Sequence, residues 1–167
     1  MKIESLKKLE NKSQLYKLTR EYLEHEVKEL REVSGLDLDV EELISNTFDH
    51  IDEYLPPVGG LHVAIDEGDL LQGCVFVKMI RSDVCEIKRL YVRPSARGLG
   101  LGRKLMNSIL SHAKDMGAKR VLLDTGVYDT AAQNLYGTLG FTLIDSYPEG
   151  ESDPDVLPYL LFMKLDL

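Results

Sequence analysis

Residues 90 to 105 read LYVRPSARGLGLGRKL, a strand-like run that passes through a short basic loop into Gly98, Gly100 and Gly102 and then into a helical pattern. Glycine is a poor residue for the first turn of a helix unless something must lie against the backbone, and without side chains the amides there meet an anion directly. Amides at a helix start also carry the positive end of the helix dipole. The segment is therefore predicted to be a phosphate cradle. Charge supports the same reading: from Ile87 to Lys114 there are seven basic residues, Lys88, Arg89, Arg93, Arg97, Arg103, Lys104 and Lys114, and no acidic one. A cationic island on a chain of net charge −8 suits a small polyanion held at one place, and suits a long nucleic-acid track poorly.

Upstream of the cradle, Leu61 to Val92 is rich in β-branched, aromatic and aliphatic residues, interrupted at Glu67-Gly68-Asp69 and Arg81-Ser82-Asp83. This texture predicts three antiparallel strands. Ahead of them, Leu15, Leu18, Tyr22, Leu23, Val27, Leu30 and Val33 recur at helical spacing over residues 14–33, with Gly35 to end the helix. A second helix is expected over residues 40–55, capped by Asp39 and stopped by Pro56-Pro57. Downstream come a helix over 100–116, a strand over 120–124, a helix over 130–139 and a strand over 141–147. An acidic loop carrying Glu149, Glu151, Asp153 and Asp155 then leads to a last strand over 159–165. The expected fold class is α/β of the mixed α+β kind, a single domain over residues 1–167. It has one central mixed sheet of about six to seven strands flanked by about four helices.

Cys74 and Cys85 fall on either side of the Arg81-Ser82-Asp83 turn, where hairpin register places them about five positions, or roughly 17 Å, apart. They are expected to be buried thiols. No apolar run approaches the roughly 18 residues needed to span a bilayer, and the start, MKIESLKKLENKS, lacks a signal peptide's apolar stretch. A cytoplasmic location is expected, with neither membrane nor nucleic acid as a partner. His25, His50, His62 and His112 are scattered, without H-E-x-x-H or paired-cysteine spacing, so no metal is expected.

Two other phosphate loops are tested by spacing. A Walker A loop needs Gly, four residues, then Gly-Lys and Ser or Thr, but Arg103 follows Gly102 and Arg97 stands five positions before it. A dinucleotide fingerprint needs G-x-G-x-x-G directly after a strand, whereas here the pattern is G-x-G-x-G and Arg93 to Arg97 intervene. Asp124, about twenty residues further on where a ribose-binding acid would sit, keeps a nicotinamide-dependent oxidoreductase as a rival reading.

Arg97-Gly98-Leu99-Gly100-Leu101-Gly102 resembles the acetyl-CoA signature of the GNAT N-acetyltransferase superfamily: Gln or Arg, two residues, Gly, one residue, then Gly or Ala. It follows the strand CEIKRLYV and precedes a helix, and the later AAQNLYGTLGF is similar to the family's second cofactor-contacting helix and strand. The resemblance is clear from about Val84 to Tyr147 and only general for the two N-terminal helices. It implies a parallel strand pair splayed open, with acetyl-CoA wedged in the gap as acetyl donor. The cofactor's pyrophosphate would rest on the amides of Gly98, Leu99, Gly100, Leu101, Gly102 and Arg103, with Arg97 beside them. Leu90, Tyr91 and Val92 match the strand whose backbone pairs with the pantetheine arm and polarises the acetyl carbonyl. Asn134 and Tyr136 match positions that contact the cofactor arm, with the Tyr136 phenol as general acid at the departing sulfur.

An alkyl amine with a pKa around 10 must lose a proton before it attacks a thioester, so a base is required. Glu86 resembles the strand glutamate that many members use, directly or through water. On an unbulged strand its parity matches Leu90 and Val92 and turns its carboxylate to their face. The expected function is direct transfer of acetyl from acetyl-CoA to an amine of a small molecule or peptide, with no acetyl-enzyme. An acyl-CoA-binding sensor without turnover is the first alternative, ahead of the oxidoreductase. Polyamine-like molecules, aminoglycosides, amino acids and protein amines all stay open as acceptors, and so does a homodimer. The acidic segment from Asp145 to Asp155 offers one hypothesis, attraction of a cationic acceptor.

Overall fold

The computed structural model describes residues 1–9, 12–150 and 152–167, so Glu151 of the acidic loop lies outside the described residues. Among the described residues, seven strands form one sheet: β1 (Lys2–Ser5), β2 (Gly59–Ile65), β3 (Leu71–Arg81), β4 (Val84–Val92), β5 (Arg120–Gly126), β6 (Thr142–Ile144) and β7 (Leu160–Asp166). Their order across the sheet is β1-β2-β3-β4-β5-β7-β6. Only β4 and β5 run parallel; every other neighbouring pair is antiparallel. The described residues also form four α-helices that accompany the sheet: α1 (Lys12–Ser34), α2 (Val40–Asp49), α3 (Leu101–Asp115) and α4 (Thr130–Thr138).

The two sheet faces bury separate cores because successive side chains alternate. On one face, Leu15 and Leu18 of α1 meet Leu61, Val63, Cys74, Phe76 and Tyr91. On the other, Leu105, Met106 and Ile109 of α3 meet Val75, Val77, Cys85, Ile87, Val121 and Leu123, joined by Tyr136 of α4. Cys74 and Cys85 are buried free thiols on opposite faces, and Cys85 pairs with Met79, five residues along β3 from Cys74. Helix α2 begins where predicted, its amides at Glu41 and Glu42 donating to Asp39 Oδ1 at 2.8 and 3.3 Å. It ends earlier than predicted, at Asp49, and the chain continues as a single 3₁₀ turn over Ile51–Tyr54.

Three further differences from the sequence reading concern strands. The N-terminal β1 was not anticipated; four residues with two half-buried positions are a strand only because β2 supplies the partner. The strand expected over 141–147 shrinks to Thr142–Ile144, an edge paired only with β7. In β4 the register with β3 slips between Phe76↔Lys88 and Cys74↔Tyr91, so one extra residue bulges out. Arg89, at φ 54°, is that bulge. It reverses the parity of the strand: Leu90 and Val92 pack with the α3 face, Tyr91 with the α1 face. Glu86 therefore does not share the face of Leu90 and Val92, which corrects the parity expected for an unbulged strand.

Candidate active site

The cradle forms where β4 leaves the sheet. A 3₁₀ turn over Pro94–Ala96 carries the chain to Gly98 and Gly100, at φ 78° and 70°, and α3 starts at Leu101. Left-handed backbone at both positions explains why glycine stands there. The first helical bond runs from the Lys104 amide to the Gly100 carbonyl, and no side chain caps the helix, which leaves the amides of Leu101, Gly102 and Arg103 outside the helical ladder. A Cβ placed on Gly98 or Gly100 would meet no atom within 4 Å, so the backbone is open from above; one on Gly102 would reach the Leu135 side chain at 3.3 Å. These residues fit the diphosphate of a nucleotide-bearing ligand: open amides, a helix N-terminus, and Arg97 and Arg103 at the rim.

A cavity of about 430 Å³ lies against the cradle, lined by Leu90, Tyr91 and Val92 from β4, by Arg97 to Arg103 except Leu99, and by parts of α1 and α4. Next to it the sheet opens. β4 and β5 pair only at Val84↔Arg120, Cys85↔Val121 and Glu86↔Leu122, although both strands continue beyond. The gap between Ile87–Leu90 and Asp124–Gly126 is a narrow recess of about 50 Å³, closed by Tyr22, Glu26 and Tyr136. Beyond it lies a second large cavity, about 390 Å³, between α2, the bulge and the loop at Asp153. Tyr22 lines all three spaces, Glu26 the first two, and Lys88, Arg89 and Asp124 the last two. The three lie side by side across the splay and share these side chains as walls, and together they are called the passage.

Charges along this passage are strongly coupled. Glu26 accepts the Tyr128 phenolic O–H on Oε2 at 3.1 Å. Burial pushes its carboxyl up to about 7 against that bond, with Asp129, Asp124 and Glu29 adding to the rise. Tyr136, in ring contact with Phe141, is held well above the ordinary phenol range by burial and by Asp129, Asp124 and Glu26. Lys88 Nζ sits 2.9 Å from Asp124 Oδ2 and 3.0 Å from Glu86 Oε1. Burial pulls Lys88 down, but the two carboxylates outweigh it and hold it above its usual value, so it stays charged.

Among the residues singled out in sequence, Leu90, Tyr91, Val92, Arg97, Gly98, Gly100, Leu101, Gly102 and Arg103 all line the first cavity. Tyr136 lines the recess instead. Leu99 is 57% exposed and Asn134 on α4 is exposed; neither lines any of these three spaces. Glu86 is fully buried behind Lys88 and lines none of the three spaces. Asp124, read as a ribose acid in the rival dinucleotide reading, is tied to Lys88 and does not line the cradle's cavity. From the acidic loop, Asp153 reaches the second cavity, whereas Glu149 is bound to Arg81 at 2.5 and 2.9 Å. Sequence reading assigned Tyr22 to the packing stripe of α1 and missed Glu26. A phenol and a carboxyl one turn apart beside an apolar stripe were the available signal.

Comparison with known proteins agrees with this geometry. The family model described as Acetyltransferase (GNAT) family matches residues 14–141. An uncharacterized N-acetyltransferase of Schizosaccharomyces pombe is 32% identical over 142 residues, covering 84% of either chain. The IAA acetyltransferase of Azospirillum brasilense is 42% identical over 82 residues, about half of either chain, at 49% and 51%. Among solved structures, the PaiA N-acetyltransferase of Thermoplasma acidophilum in complex with coenzyme A superposes with a TM-score of 0.73 at 18% identity, covering 100% of both chains. A family model spanning most of the chain and a relative of this identity and coverage, on a sheet splayed beside an open glycine cradle, establish that the chain belongs to the GNAT acetyltransferase family.

Proposed function

We propose that the protein transfers the acetyl group of acetyl-CoA to an amine in a ternary complex. The observation that carries this reading is the passage itself: an anion cradle at one end, a gap between parallel strands in the middle, and a separate polar cavity at the other end. The solved relatives with coenzyme A or acetyl-CoA bound support the choice of donor. Acetyl-CoA supplies an activated acyl carbon and a thiol leaving group.

The amides of Gly98 to Arg103, with Arg97 and Arg103, hold the diphosphate. The unpaired edge of Leu90 to Val92 takes the extended arm as an added strand and aims a backbone N–H at the thioester carbonyl. The acceptor enters from the second cavity, and its nitrogen attacks at the recess: the N–C bond forms, the C–S bond breaks and the nitrogen gives up a proton. Glu26 takes that proton, since it lines the recess and its carboxyl titrates near neutrality. Tyr136, kept protonated by its surroundings, donates to the departing sulfur so that CoA leaves as the thiol. Glu86 acts from behind the site by holding Lys88, and through it Asp124, in place.

Thiol release from acetyl-CoA, measured with and without a panel of amines and coupled to mass detection of the acetylated product, tests the proposal. Amine-dependent release is expected. Tight acetyl-CoA binding with no release for any amine would favour the sensor reading instead.

A further inference from the structure

The chain has eight arginines. Five are ion-paired to a carboxylate: Arg20, Arg31, Arg81, Arg93 and Arg120. Among the described residues the other three, Arg89, Arg97 and Arg103, have no such partner. Arg97 and Arg103 flank the glycine cradle, where a diphosphate supplies the missing anion. Arg89 stands at the far end of the passage. Its Nε and Nη2 both donate to a neutral acceptor, Thr47 Oγ1, at 3.1 and 2.7 Å, and the rest of its fork has no partner among the described residues. The side chain is half-buried, and its backbone holds the left-handed conformation of the bulge, which is costly for a residue other than glycine. An acidic chain that pairs its other non-cradle arginines leaves this one open to the second cavity, to the recess and to a small side pocket lined by His50 and Lys78.

The acidic groups of the second cavity are, in contrast, mostly occupied. Asp39 Oδ1 caps α2, Asp153 Oδ1 accepts the Asp155 amide at 2.9 Å, and Asp124 is held by Lys88. Only Glu42, exposed at the rim, makes no such contact by its side chain. Asp39, Glu42 and Asp153 keep their charge at the exposed rim, while on the half-buried inner wall Arg89 is a cation with no ion-pair partner among the described residues, which favours an acceptor whose inward end is anionic.

We propose that Arg89 anchors a carboxylate of the acceptor, and that the acceptor is a free α-amino acid. Arg89 lines both the second cavity and the recess, so a carboxylate seated on its fork places an α-amino group, one carbon away, at the mouth of the recess. There the nitrogen takes the acetyl carbon from sulfur and loses its proton, and CoA leaves as the thiol. The side chain of the amino acid points back into the second cavity. The inference rests on the transferase reading above, because it assigns the acceptor end of the same passage.

The test compares matched acceptors on the full chain at saturating acetyl-CoA: the common L-amino acids, their primary amides, which mimic peptide N-termini, and decarboxylated counterparts such as cadaverine against lysine. At least one free acid is expected to exceed its own amide and amine by about tenfold or more in kcat/KM. Arg89→Gln should reduce kcat/KM for the acid at least about tenfold more than for the matched amine, through KM, and Arg89→Lys should recover part of it. Acetyl-CoA affinity, read by calorimetry in each variant, reports that the fold is intact. Amides or amines that match the acids, or an Arg89→Gln loss equal for both sets, would overturn the carboxylate anchor and leave the transferase reading standing. No turnover of any amine would overturn both.

Discussion

Tyr147 donates its phenolic O–H to Glu86 Oε1 at 2.8 Å, on a carboxylate that exposes no surface at all. Lys88 reaches the same oxygen, and Oε2 has no hydrogen-bond partner among the described residues. Burial pushes the Glu86 carboxyl up, and Lys88 and Tyr147 pull it only part of the way back. On the proposed reading the group is a strut under Lys88. Glu86→Ala should therefore cost about 3 kcal/mol in urea denaturation, because it breaks a buried charge pair, and Tyr147→Phe about 1 kcal/mol. In the conservative variant Glu86→Gln, KM for the acceptor should rise more than kcat falls. A Glu86→Gln variant with native stability and abolished kcat would instead place the carboxylate in contact with the reacting amine.

Tyr136 sits at the recess with its ring against Phe141 and a phenol held above its usual range, so it carries its proton throughout neutral pH. A donor to the leaving sulfur acts in the transition state and contributes little to binding. Tyr136→Phe should lower kcat by about 100-fold, with the dissociation constant of acetyl-CoA changed less than about twofold. The same variant with unchanged kcat would remove Tyr136 from the chemistry.

The parts of this site that could be read in sequence are those where chemistry restricts residue type. Two left-handed backbone positions at a helix start demand glycine, so Gly98 and Gly100 announced the cradle. Strong periodicity announced α1 and α3, whose buried stripes are long. The bulge was invisible, because nothing in Lys88-Arg89-Leu90 marks a left-handed arginine, and missing it turned Glu86 to the wrong face. Tyr22 and Glu26 were hidden for another reason. Position in α1 fixes which stripe they belong to, but only the distant splay of β4 and β5 decides that this part of the stripe borders a gap instead of a core. The edge strand β6 and the N-terminal β1 owe their existence to partners remote in sequence.

Glu26 gives the site a pH dependence of definite sign. Its carboxyl, raised to about 7 by burial, is protonated in acid and becomes a base only above that point. In the wild type, kcat/KM should rise with pH through about 7, and Glu26→Gln should lose about 100-fold in rate and shift the rising limb toward the pKa of the acceptor amine. Folding carries the mirror image. A carboxyl whose folded pKa exceeds its unfolded value near 4.5 contributes stability below that value, and the contribution is lost as pH rises through about 7. Glu26→Gln should therefore melt higher than the wild type at pH 8, while the difference shrinks at pH 5. A variant with reduced rate but an unchanged pH profile would exclude Glu26 as the base.

Gly35 and Gly100 provide a matched pair that separates backbone strain from ligand contact. Both are left-handed, at φ 76° and 70°, and at both an added Cβ would meet no protein atom within 4 Å. Gly35 ends α1, its amide bonded to the Arg31 carbonyl at 2.8 Å, and lines none of the described cavities; Gly100 opens the cradle. An alanine in either place pays the same conformational penalty, about 1 kcal/mol, which urea denaturation should register equally for Gly35→Ala and Gly100→Ala. Only at Gly100 does the new methyl project into the space assigned to a diphosphate. Calorimetry should accordingly find the dissociation constant of coenzyme A raised about tenfold or more in Gly100→Ala and unchanged in Gly35→Ala. Equal affinities in the two variants would mean that the diphosphate lies elsewhere, and the assignment of the whole passage would fall with it.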